Sequence, residues 1–275
     1  MGRTAKQPVI GNPLSRPVER HASHPKPGEL IEIVPDAPFT QADRTVLNLL
    51  IVNAWPRITQ EREHSIPKRL LRGTHESTDR LSATISRLMK TLVEVRVIRD
   101  GKPSRLKFQL LGPTVENRND DGNLYYRFLP ELIEVIAMSD HWARLNVETM
   151  LSMESKYSLV LYEMVEKRAG LTSKHRERFT IEEFRAFLGV PDGKLERWYD
   201  LKRKCIEPAV REVAEKSSCH VRIDAVKPAR PVRHVDLSWF PKDEQGLKAA
   251  YTEAPRHKAG RKARISGQTA GPAQT

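Results

Sequence analysis

Apolar residues recur every three to four positions at Trp198, Leu201, Cys205, Ala209 and Val213, a spacing that predicts one buried helical stripe. Arg197, Lys202, Arg203 and Lys204 fall off that stripe and are free to meet a partner. Pro208 has no N–H to give the carbonyl of Lys204, so the pattern predicts either a kink there or a new helix with Pro208 in its first turn. Beyond Ser217 the period becomes alternating. Cys219, Val221, Ile223 and Ala225 share one face of a strand, and Val235, Leu237 and Trp239 share one face of its return. The intervening turn carries Lys227, Arg230 and Arg233, and Pro228 and Pro231 limit pairing at its tip, so its charges project past the sheet.

An earlier stretch follows the same plan. The residues after Thr40 predict a helix with Val46, Leu47, Leu50 and Ile51 inward, and a short helix is expected at Ile66 to Leu71. From Ser77 to Val93, Leu81, Ile85, Leu88 and Leu92 mark one helical face, with Arg80, Thr84, Arg87 and Lys90 on another. Strands are expected at Val93 to Arg99, Arg105 to Leu111 and Asn123 to Phe128, with turns at Asp100-Gly101 and Asp121-Gly122. A helix is expected at Pro130 to Met138 and another near Ser152 to Arg168. Thr180 and Glu183 read as a capping box for a short helix that Gly189 ends.

Each half thus predicts a basic helix followed by a hairpin, the plan of a winged helix. The expected fold is α+β and helix-rich: two tandem winged-helix domains with disordered N- and C-terminal extensions. The boundaries are a Pro-rich arm at 1–38, a first winged helix at 39–138 for DNA contact, to which the resemblance described below adds dimerisation, and a connector at 139–151. A second winged helix, the main DNA-binding domain, spans 152–241, and a flexible basic tail spans 242–275.

Composition narrows the partner. The 275 residues carry a formal charge of +12, which favours nucleic acid through phosphate neutralisation. Cys205 and Cys219 lack a metal-ligand spacing and fit apolar positions, so buried reduced thiols are expected. No apolar run reaches membrane-span length and the N-terminus lacks a secretion signal, so a cytoplasmic protein without membrane contact is expected.

Three stretches carry a resemblance: YYRFLPELIEVI at Tyr125 to Ile136, SKYSLVLYEMVEK at Ser155 to Lys167, and Phe179 through Phe240, including FTIEEFRAFLGVP and YDLKRKCIEPAVREV. The sequence resembles the iteron-binding plasmid replication initiators, a family of two tandem winged helices. The resemblance implies sequence-specific binding of direct repeats in double-stranded origin DNA, local strand opening, and recruitment of the host initiator and replicative helicase. It also implies a monomer–dimer equilibrium, in which dimers formed mainly through the first winged helix repress the initiator's own promoter.

The DNA-contact candidates are Arg197, Lys202, Arg203, Lys204, Lys227, Arg230 and Arg233 in the second unit, and Arg80, Arg87 and Lys90 in the first. The bland reading of the triad Lys202, Arg203 and Lys204 is a solvated face; the basic hairpin that follows and the resemblance favour contact with bases or phosphates. Trp198 and Trp239 fall on apolar stripes and read as core rather than stacking platforms. Tyr157 reads as core too, and Tyr162 has no basic or metal-binding neighbour to make it a nucleophile. Enzyme readings lack parts. Among nine histidines no pair is separated by one hydrophobic residue, as a metal-dependent nickase needs, and GVPDGKL at Gly189 to Leu195 is one residue short of a phosphate loop and lacks its hydroxyl. No cofactor is expected. The rivals are a transcriptional repressor that binds an inverted repeat as a dimer, and a protein-interaction scaffold.

Overall fold

Hydrophobic alternation and capping set the order of elements in the computed structural model, which describes residues 23–55, 57–72, 78–116, 122–171, 173–226 and 231–256. The first unit begins with strand β1 (Ser23–Pro27), a tight turn at Gly28–Leu30 and strand β2 (Val34–Pro35). Helix α1 (Gln41–Ala54) starts in a capping box: the Asp43 carboxylate accepts the Thr40 N–H at 2.8 Å, and the Thr40 hydroxyl accepts the Asp43 N–H. Strand β3 (His64–Pro67) and helix α2 (Lys68–Arg72) precede helix α3 (Thr78–Lys90), which packs on both α1 and α2. Strands β4 (Leu92–Arg99) and β5 (Lys102–Gln109) form an antiparallel hairpin. Its Asp100-Gly101 turn holds both residues at positive φ, 51° and 72°, as a type I′ hairpin turn requires.

Strands β6 (Thr114–Val115) and β7 (Asn123–Tyr126), helix α4 (Pro130–Met138), strand β8 (Trp142–Asn146) and helix α5 (Val147–Ser152) follow. Strand β7 lies between β3 and β6, β4 lies between β2 and β5, and β1 pairs with β8. The second unit comprises helix α6 (Lys156–Ala169), strand β9 (Arg176–Thr180), helix α7 (Ile181–Phe187), helices α8 (Trp198–Leu201) and α9 (Glu207–Lys216), and strands β10 (Cys219–Ala225) and β11 (His234–Pro241). Strand β11 sits between β10 and β9. Helix α10 (Glu244–Arg256) ends the described chain.

Helix α6 joins the two units. Residues 158–165 are all buried, including Glu163. A carboxylate at 0% exposure needs partners, and it has three: Lys26 of β1 at 2.8 Å, Asn48 of α1 at 2.6 Å, and Arg44 of α1. Burial alone raises the Glu163 carboxyl, but Arg44 and Lys26 hold it below the usual range. Burial pulls the Lys26 amine down to about 8. A second group of charges spans the same seam. Glu32 binds Lys167 at 2.7 Å and also Arg168, whose Nε donates to Glu177 of β9 at 2.9 Å. Lys216, almost fully buried at the end of α9, donates to the Ser152 carbonyl at 3.0 Å and to Glu212 at 2.6 Å, which ties α9 to the end of α5.

Several expectations are corrected. Residues 23–38 are ordered rather than part of an arm, because β1 pairs with β8 and Lys26 reaches Glu163; residues 1–22 lie outside the described residues. The connector expected at 139–151 is β8 and α5, both packed on α6 or on each other. Ile66 is extended, as a residue before proline tends to be, so the helix expected there begins at Lys68. Leu92 is not on the face of α3; it opens β4 and is exposed. Helix α6 begins after Ser155, whose hydroxyl accepts the Ser158 N–H at 3.0 Å and caps it. Tyr157 is only half-buried, whereas Tyr162 is core at 1% exposure and its hydroxyl accepts the Asn146 N–H at 2.8 Å. Trp198 is half-buried, while Trp239 is fully buried.

The tail expected from residue 242 is helical as far as Arg256. Ala250 and Ala254 are buried where α10 meets α5 and α9, and residues 257–275 lie outside the described residues. Nearby, Glu166 of α6 accepts the Ser218 hydroxyl at 2.9 Å, and burial pushes its carboxyl up from 4.5 to about 7 despite that bond and the field of Lys242. A carboxyl that is harder to ionise when folded stabilises the protein fully below its unfolded pKa, and loses that contribution as pH rises through the folded one. The unfolding midpoint of the wild type is therefore expected to fall, relative to Glu166→Gln, between about pH 4.5 and pH 7. Parallel midpoint profiles of the two proteins across that window would contradict this.

Candidate nucleic-acid interface

The basic helix of the second unit is one continuous rod with a widened turn. Helix α8 runs through a π-turn at Lys202–Ile206 into α9, and the Glu207 N–H reaches back to the Lys202 carbonyl. Pro208 lacks the N–H that an α-helical turn would use; the backbone widens into the π-turn before it, and Pro208 falls in the first turn of α9, the second of the two expected outcomes. Leu201, Cys205, Ile206, Ala209 and Val213 are buried beneath it. Both cysteines are free and buried, and burial pushes the Cys205 thiol up to about 12, an inert state.

The exposed side carries Arg197, Lys202, Arg203 and Lys204. Lys204 meets Asp200 at 2.9 Å and Lys202 meets Glu207 at 3.8 Å, pairs that are exposed and therefore weak. Arg203 instead lies over the Tyr199 ring, its guanidinium carbon 6.0 Å from the centroid, and Nη1 donates to the Tyr199 hydroxyl at 3.3 Å. Strands β10 and β11 then rise beside this helix, with Val235, Leu237 and Trp239 inward. Arg233 is exposed near the base of their connection; Lys227 and Arg230 lie outside the described residues.

In the first unit the candidates separate. Arg80 and Lys90 are exposed on α3. Arg87 is held by fully buried Asp43, with Nη2 at 2.8 Å from Oδ1 and Nε at 3.0 Å, and it also donates to Thr84 at 3.0 Å. That fork locks α3 against α1, so Arg87 has a structural role that Arg80 and Lys90 lack.

Sequence reasoning missed the cations on the first hairpin. Arg99 faces Lys102 across its tip and Arg96 faces Arg105. Like charges directly opposite repel, and a nearby anion relieves such a pair. Arg96 has one in Glu183 of α7 at 2.7 Å, and it also lies over Phe187 at 5.3 Å. Arg105 and Lys107 share Glu94 at 3.3 and 3.6 Å. Arg99 and Lys102 form an exposed cationic tip. The missed signal was the exposed alternation within KPSRLKFQ, which places Lys102 among the tip residues of β5.

Among the described residues, no helix is long and apolar enough to cross a membrane, and no group of three His, Cys, Asp or Glu side chains gathers to hold a metal. The arrangement is two helix-and-hairpin units with cations on their exposed faces, joined through α6.

Comparison with known proteins agrees with this plan. Residues 26–166 match the family model described as "Initiator Replication protein, WH1", and residues 180–239 match "Initiator Rep protein, WH2". The WH1 match reaches into α6, beyond the boundary expected at 138. A search of curated proteins found no match. Among solved structures, one is similar with a TM-score of 0.57 at 15% identity, covering 82% of this chain and 100% of the other: "Crystal structure of Pi initiator protein in complex with iteron DNA". The two matched segments, in order and spanning most of the described residues, place this chain in the initiator Rep protein family, the plasmid replication initiators with tandem winged helices.

Proposed function

We propose that this protein initiates replication of a plasmid by binding direct repeats, iterons, at the origin as a monomer that uses both winged helices. One observation carries the reading: two different cationic helix-and-hairpin units sit in one chain, held through α6 by the buried charges at Glu163 and by the Glu32–Arg168–Glu177 group. A symmetric dimer presents identical patches about a two-fold axis and so reads inverted repeats. Two unlike units fixed in one chain have no such axis and read a site with direction, the kind of site that direct repeats present. The solved initiator with a similar fold is bound to iteron DNA, which supports the same reading. Binding several such sites opens adjacent duplex and recruits the host initiator and helicase, and a dimer joined through the first unit represses the initiator's own promoter. The protein acts on DNA by binding rather than by catalysis, in the cytoplasm.

Replication supplies the test. A plasmid that carries the origin without this gene is expected to persist only when the protein is supplied in trans, and to be lost when the supplied protein carries Ala at Lys202, Arg203 and Lys204. Persistence without the protein would overturn the proposal.

Residues 257–275 carry Lys258, Arg261, Lys262 and Arg264 with no acid. Ending the chain at Arg256 is expected to weaken binding about tenfold at low salt and to make its salt dependence shallower, with the preferred repeat unchanged. A changed preference in competition assays would show that this segment reads sequence.

A further inference from the structure

The three adjacent cations of the second unit do not occupy equivalent places. Residues four apart share a helical face, so Leu201, Cys205, Ala209 and Val213 make the buried row, and Tyr199, Arg203, Glu207 and Arg211, offset by two residues, make the row opposite. All four residues of that outer row are exposed, Tyr199 at 67%. Lys202 and Lys204 flank the row on either side, Lys202 beside the exposed Glu207 and Lys204 beside the partly exposed Asp200. A helix lying in a major groove presents its outermost row to base edges and its flanks to the phosphates of the two strands.

Arg203 differs in chemistry as well as in place. Lys202 and Lys204 are point charges, suited to phosphate and released from weak exposed pairs when a phosphate replaces the carboxylate. Arg203 carries a planar fork that matches the O6 and N7 acceptors of guanine. Its nearest partner is an aromatic ring one turn back, which restrains the long side chain while leaving donors on the fork unused. A restrained fork loses less conformational entropy when it meets a base.

We infer that Arg203 reads a guanine in the repeat, that Tyr199 is the positioning residue that holds its guanidinium, and that Lys202 and Lys204 grip the flanking phosphates. This division of labour rests on the proposed binding of DNA repeats. It predicts at least one guanine whose replacement affects binding only when Arg203 is present.

The test is selection of preferred sites from a randomised DNA pool by the full chain, followed by affinity measurements over a range of salt. Arg203→Ala is expected to lose about 10- to 100-fold in affinity for the preferred repeat and to lose preference at one base pair, and Arg203→Lys is expected not to restore that preference. Lys202→Ala and Lys204→Ala are each expected to reduce the logarithmic salt slope by about one and to keep the wild-type base preferences. Tyr199→Phe keeps the ring and most of the preference. Tyr199→Ala weakens preference at the same base pair as Arg203→Ala, and adds nothing further in an Arg203→Ala background. Thermal unfolding verifies that each variant is folded. A selective wild type whose preferences all survive Arg203→Ala would overturn this assignment alone, as would a changed base preference in either lysine variant. A wild type with no preferred sequence would overturn both this inference and the proposed function.

Discussion

Replacing Glu163 with Gln is expected to destabilise the protein by about 3–5 kcal/mol, because it leaves Lys26 and Arg44 as buried cations without their shared anion. The substitution keeps the volume of the side chain, so the loss is electrostatic rather than a cavity. Asn48 still has a carbonyl and an amide to bond, but neither restores the charge. In thermal unfolding the midpoint is expected to drop on the order of 10 °C. Adding Lys26→Met to Glu163→Gln removes one of the stranded charges, so the double variant is expected to be more stable than the sum of the single losses implies. A loss under about 1 kcal/mol in Glu163→Gln would contradict the view that this cluster fastens α6 to the first unit. Because α6 is also the first helix of the second unit, the variant is further expected to loosen the relation between the two cationic surfaces.

Changing Lys202, Arg203 and Lys204 together to Ala is expected to reduce specific binding on the order of 1,000-fold and to leave the fold intact. The two phosphate contacts and one base contact proposed for these residues set that scale. The buried row from Leu201 to Val213 is untouched, and the ion pairs removed are exposed ones. Circular dichroism and thermal unfolding verify the fold, and titration on the plasmid's own origin measures the loss. Undiminished affinity in a folded triple variant would show that this helix does not face DNA.

Much of this interface was legible in the sequence because its signals are local. Helix α7 follows from the Thr180 and Glu183 box, which the structure forms in full, and Gly189 ends it at φ 64°. Pro130 opens α4 at the position where its missing N–H costs nothing. The alternation that begins at Cys219 gives β10 and β11, with Val235, Leu237 and Trp239 fully buried.

What escaped the sequence depends on partners far away in the chain. Lys26, flanked by Pro25 and Pro27, reads as a disordered arm until Glu163 arrives 137 residues later to neutralise it. Strand β9 is Arg-Glu-Arg-Phe-Thr, a poor strand by composition. It forms because Phe179 is buried, and because Arg176 and Arg178 both bind Asp236 across the ladder, Arg178 at 2.9 Å. Arg87 sits among the exposed cations of α3 in any helical projection, and only the turn of α1 that buries Asp43 reveals what it holds. The Asp100-Gly101 turn was expected, but the return strand was expected only from Arg105; it starts at Lys102, and that pairing sets Arg99 opposite Lys102 at the tip.

We propose that two unlike winged helices in one chain read repeated, directional sites at a plasmid origin. Footprinting of the purified protein on its own plasmid, at physiological salt and with excess competitor DNA, tests it most directly. The expected result is protection of several direct repeats of one sequence, with hyperreactive bases in the neighbouring AT-rich duplex. Protection of a single inverted repeat, or no protection that survives competitor, would contradict it.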